Sequence, residues 1–149
     1  GEHRRAADLF LKAVDTFMEL GGLFYIGQSL AQMGRSLFAL GNDIEAEHIW
    51  RESLRIGAEM RGMPVVLEAL VGIASLRAKS GEMQSAFELL LTALHHPACD
   101  QETKNRADHL RAELEAQLTR QQIEAAERRA QATTLEAAVE AILQKAPAG

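Results

Sequence analysis

Cysteine is nearly missing. Cys99 stands alone, so an internal disulfide framework is excluded and a reducing compartment, the cytoplasm, is the expected setting. Proline is scarce too: Pro64, Pro97 and Pro147 are the only three. Runs of alternating Val, Ile and Thr, the mark of half-buried strands, are absent. No basic block occurs; 16 Lys and Arg interleave with 21 Asp and Glu for a net charge of −5, which leaves no electrostatic footprint for nucleic acid. Apolar runs such as "VVLEALVGIASL" carry a glutamate and are too short to span a bilayer. No charged start followed by an apolar segment reads as a secretory signal. No glycine-rich phosphate loop ending in Lys-Ser or Lys-Thr occurs. The chain is therefore expected to bind neither nucleic acid nor membrane.

What is present points to helix. Ala, Leu, Glu and Arg are plentiful, and 149 residues with 47% hydrophobic content suffice for one domain with a core. The chain opens on Gly and enters at once an amphipathic segment, "EHRRAADLFLKAVDTFMEL". It reads as a piece of a longer protein, with the leading Gly a cloning remnant.

The chain repeats itself. Gly41 and Gly81 lie 40 residues apart. At the same shift Ala6, Ala46 and Ala86 superpose, as do Phe10, Trp50 and Leu90, then Ala13, Ser53 and Ala93, then Val14, Leu54 and Leu94. Spacing of this kind draws one apolar face along a helix. Upstream of the glycines, Leu30 falls on Leu70 and Leu110, and Gly34 on Ala74. The repeating unit is a helical hairpin. Helix A runs from Leu23 to Leu40, Gly41 ends it in the left-handed conformation, and helix B runs from Asp43 to Met60. Asn42 caps helix B, with Glu45 completing a capping box. Gly21–Gly22 and Arg61–Gly62 mark the turns from helix B to the next helix A, and Ser80–Gly81 the second turn from A to B.

Gly34, Ala46, Ala74 and Ala86 are small so that the two helices can approach, and Trp50 and Leu90 fill the next layer. Hairpins of this kind cannot bury their faces alone, so neighbours stack. The expected fold is all-α, a right-handed superhelical solenoid of antiparallel helix pairs. Its divisions are helix B of a truncated upstream repeat (1–22), one repeat (23–62), a second (63–99), a degenerate repeat with capping helices (100–146) and a tail (147–149). The last repeat lacks the turn glycine, with Gln121 in its place. It ends in two short helices broken near Ala132–Thr133, the second capped by Thr134 and facing inward with Ala137, Ala138, Ile142 and Leu143.

The order Gly34, Ala46, Trp50, Ser53, repeated as Ala74, Ala86, Leu90, Ala93, resembles the tetratricopeptide repeat, and Gly41–Asn42 and Gly81–Glu82 match that family's turn. The period of 40 departs from the usual value of about 34. The longer period and the tail "LTRQQIEAAERRAQATTLEAAVEAIL" are similar to the C-terminal regions of large bacterial signal-transduction ATPases of the STAND type, such as the maltose-operon activator type. The resemblance implies a non-catalytic sensor arm that binds a protein, a peptide or a small effector and biases an ATPase lying outside this chain. A free-standing scaffold or co-chaperone adaptor that binds peptides is the alternative. In this family the A helices line a concave face, and its groove positions correspond to Gln28, Arg35 and Phe38, then Glu68, Ser75 and Lys79, then Asp108, Arg111 and Glu115.

Other candidates have plainer readings. His95, His96 and Cys99 gather in "LHHPAC", but a structural zinc site takes four ligands, and His3, His48 and His109 are remote in sequence. The cluster reads as a polar helix end, with histidine favoured by the helix dipole. A metal-dependent enzyme built on it is the rival reading from another class, tested by metal analysis of the purified chain. Glu68, Asp108, Glu113 and Glu115 read as solvated faces rather than catalytic carboxylates, so no catalytic residue, cofactor or metal is expected. Phe17, Phe24 and Tyr25 beside Gly21–Gly22 read as packing between repeats. The unpaired helix from Glu2 to Leu20 leaves an apolar face available for self-association.

Overall fold

The computed structural model describes residues 2–145, the side chains at 3, 10 and 17 excepted. The tail assigned to 147–149 lies outside the described residues. Seven helices account for nearly all of the rest: α1 (Glu2–Ala39), α2 (Asp43–Glu59), α3 (Met63–Lys79), α4 (Met83–Leu94), α5 (Gln101–Gln117), α6 (Arg120–Ala132) and α7 (Leu135–Gln144). Helices α1, α3 and α5 lie side by side, and each of α2, α3 and α4 packs on its predecessor in the chain. Helix α6 packs on α4, and α7 returns to lie against α2 and α4. The protein is thus all-α with sequential helix–helix packing. Among the described residues, no helix is long and apolar enough to cross a membrane.

The core is centred on α2, α3 and α4. Trp50 of α2 is 1% exposed. Its indole lies against α1 at Gly34 and against α3 at Gly72, and a Cβ at either glycine would overlap the ring. The indole N–H donates to the carbonyl of Ala31 at 3.0 Å, so burying this amphipathic ring leaves no donor unpaired. Ser53, fully buried on the same helix, donates to the carbonyl of Gly27 at 2.7 Å. The small residues Gly34, Ala46, Ala74 and Ala86 are all buried, as the repeat requires.

The turns follow the repeat. Gly41 and Gly81 hold φ of +83° and +92°. In both, paired bonds close the helix end: Gly41 N–H to Phe38 O and Asn42 N–H to Leu37 O, then Gly81 N–H to Ala78 O and Glu82 N–H to Arg77 O. This is the Schellman arrangement. Arg61 takes the equivalent place between α2 and α3 with φ +55°, a left-handed conformation that glycine adopts more easily.

Three expectations are corrected. Asn42 sits at the start of α2, but its side chain makes no capping bond, and the capping box with Glu45 does not form. The reason is that Asn42 also closes the preceding turn, which bends its ψ to 66°, away from the extended backbone that a cap needs. Where the backbone is extended, caps form: Asp100, Thr119 and Thr134 accept from Thr103, Gln122 and Ala137 N–H. Second, no turn forms at Gly21–Gly22; α1 runs unbroken through both. Nothing among the described residues covers the first half of α1, so a hairpin there would gain little packing to offset the lost helical bonds. Third, Ala137 is exposed, and Val139 joins Ala138, Ile142 and Leu143 on the inner side of α7. Arg51 of α2 secures this helix by donating to the carbonyls of Leu143 and Lys145, a cation at a helix C-terminus.

Candidate functional site: a cleft across three helices

A cleft of about 660 Å³ lies across α1, α3 and α5. Arg35 and Phe38 come from α1, Glu68, Ser75 and Lys79 from α3, and Arg106, His109 and Glu113 from α5. Its apolar walls include Val71, Leu110 and Leu114.

Glu68 organises one end. Its side chain is only 10% exposed and meets Arg35 at 3.3 Å and Arg106 at 3.4 Å. Both arginines also reach Glu102, at 3.5 and 2.9 Å, so four charges tie three helices together. Burial pushes the Glu68 carboxyl above its ordinary range; Arg35 and Arg106 oppose that rise, and Asp100 and Glu102 add to it. Glu68 is thus not the solvated side chain that its sequence suggests, because it stands where α1 and α5 both close over α3. The Nε–H of Arg35 is buried and has no acceptor among the described residues, which is uncommon for a buried donor.

The other end is aromatic and cationic. Lys79 pairs with Asp43 at 2.9 Å and lies 5.1 Å from the centroid of Phe38, within cation–π range. Phe38 in turn packs 5.8 Å from Trp50 between ring centroids. Ser75 donates to Val71 of its own helix at 3.0 Å, and His109 meets Glu113 at 3.2 Å.

Of the nine positions drawn from the resemblance, the cleft brings together Arg35, Phe38, Glu68, Ser75 and Lys79. Gln28, Asp108, Arg111 and Glu115 do not line it. Arg111 and Glu115 instead pair with each other at 2.9 Å. The position of the three α5 residues outside the cleft has a single cause. Helix α3 starts at residue 63 and α5 at 101, ending at 79 and 117, so the step between them is 38, not 40. Helix α4 has 12 residues against 17 for α2, because "HHPAC" ends it early. With the shorter step, Glu68, Ser75 and Lys79 correspond to Arg106, Glu113 and Gln117, and all three line the cleft. Pro97 and the capping Asp100 carried that signal in the sequence.

The remaining candidates do not converge. His96 is half-buried and its Nδ1 accepts from Ala98 N–H at 3.1 Å, while His95 is exposed. Burial, then Asp100, pushes the Cys99 thiol above its ordinary value, which disfavours the reactive thiolate. Among the described residues, no three His, Cys, Asp or Glu side chains gather in a metal-holding group. Phe24 and Tyr25 meet edge to face at 6.3 Å, with Tyr25 70% exposed rather than packed inside; the Phe17 side chain lies outside the described residues. The chain matches no family model, no curated protein and no solved structure.

Proposed function

We propose that this chain is a non-catalytic recognition module, a tetratricopeptide-like solenoid arm that receives a small polar effector or a short peptide segment and serves a larger bacterial regulator of the STAND ATPase type. The observation that carries the reading is the cleft across α1, α3 and α5, where an apolar wall stands beside charges drawn from three separate helices. Pockets that bind small molecules combine these features. A ligand there would touch all three helices at once, so binding would bias their relative positions, as a sensor arm requires.

The test is a screen of small oligosaccharides and short peptides by NMR shift perturbation on the labelled chain. Hits should move Arg35, Ser75 and Lys79 resonances. Ser75→Trp, which fills the cleft, should abolish these shifts, and charge reversal at Arg35 and Lys79 should alter them. Arg128→Glu, on an exposed position of α6, should leave them intact. Equal loss in all the variants would overturn the reading.

A further inference from the structure

Apolar positions of the interface that α2 makes with α3 recur on α1, where they are exposed, with Phe17 and Gln32 standing at the places of Gly57 and Gly72. Shifted by 40 residues, the first half of α1 corresponds to α2 and its second half to α3. In α3, Val65, Val66 and Ile73 are buried at 1, 1 and 6% exposure. Their counterparts Tyr25, Ile26 and Met33 are 70, 50 and 50% exposed. In α2, Ala46 and Leu54 are fully buried, whereas Ala6 is exposed and Val14 is 37% exposed. Both sides of one repeat interface are therefore present on a single helix, which cannot fold onto itself while it stays straight.

We infer that a second copy of this chain covers these faces, with two α1 helices lying antiparallel so that the first half of each packs on the second half of the other. The register follows from the interface already made. A Cβ at Gly57 would meet Val66 at 3.0 Å, and Trp50 touches Gly72, so α2 and α3 pair about a midpoint near Arg61. The same pairing on α1 has its midpoint at Gly21. A two-fold axis then passes at Gly21–Gly22, and the interface is isologous. The two glycines present no side chain at the crossing, and nothing lies within 4 Å of where either Cβ would be, so two backbones can approach closely there. A helix of 38 residues, about 57 Å long, supplies two such contacts related by symmetry. The exchange of identical elements between copies is a low-cost route to a dimer, and it gives Gly21–Gly22 a role other than a turn. This inference is independent of the cleft.

Light scattering on the full chain should give about twice the 16.3 kDa of one chain. Val14→Glu and Ile26→Glu should each return the mass to that of one chain while keeping the helical circular dichroism of the parent. A second measurement does not depend on those variants. With Cys99→Ser in place, Phe17→Cys and Ile26→Cys stand where Gly57 and Val66 meet in the α2–α3 pair, and oxidation should link two chains on a non-reducing gel. A single-chain mass at every concentration, or a disulfide closed within one chain, would overturn the dimer; the latter would mean that α1 folds back at Gly21–Gly22.

Discussion

Helices α3 and α5 are each 17 residues long and neighbour one another in the same layer, yet they are buried very differently. Between Val65 and Ala74 of α3 every residue but Glu68 is buried, while α5 buries only Thr103, Ala107 and Leu114. The difference is one of neighbours. Helix α3 is enclosed by α1, α2, α4 and α5, whereas α5 packs on α3 and α4. Composition follows: α3 reads "VVLEALVGIA", and α5 carries charge or amide on most of its turns. A helix packed on four others needs apolar residues on several sides, and one packed on two needs them on fewer.

The largest effect that separates the two helices should come from truncating leucines. Leu70 and Leu110 align under a step of 40 but not under 38. Leu70 is fully buried, so Leu70→Ala should cost about 2–5 kcal/mol. Leu110 is half-buried at the cleft wall, so Leu110→Ala should cost under about 1.5 kcal/mol. Urea unfolding measures both, and equal losses would restore the longer step.

A smaller effect should distinguish the helix starts. Asp100 accepts from Thr103 N–H at 2.8 Å, so Asp100→Ala should cost about 1 kcal/mol. Asn42 makes no such bond, and Asn42→Ala should leave thermal stability nearly unchanged.

The finest test concerns pH. Burial sets the Glu68 carboxyl above its ordinary range, so the folded chain takes up that proton at a higher pH than the unfolded chain does. The group's contribution to stability is therefore greatest at low pH and falls as pH rises from the ordinary carboxylate value through the folded one. Urea midpoints across the weakly acidic range should show the parent losing stability relative to Glu68→Gln as pH rises. A parallel pair of curves would place Glu68 in a more solvated setting.

Much of the fold was legible because local chemistry dictates it. Gly41 and Gly81 announce their turns, since a left-handed residue there suits glycine, and Thr134 announces a helix start by its hydroxyl. The identity of Trp50 as a core residue followed from its repeat partners, but the glycine facing it from α3, Gly72, was not evident, because that contact joins residues 22 apart on different helices. Of the groove positions read from the sequence, Arg35, Phe38, Glu68, Ser75 and Lys79 share the cleft, whereas Gln28, Asp108, Arg111 and Glu115 lie outside it; the step of 38 between α3 and α5 brings Arg106 and Glu113 to the cleft, a shift that a strict 40-residue repeat does not show.

The sequence by itself determined the helical class, the hairpin turns of the two central units and the small residues that let their helices approach, since each is a local preference repeated at fixed spacing. Only the tertiary structure decided that Gly21–Gly22 continues a helix, that α7 returns to α2 through Arg51, and that Glu68 is buried between two arginines. Those outcomes depend on which surfaces are covered, and a glycine pair or a glutamate carries no local signal of its neighbours in space.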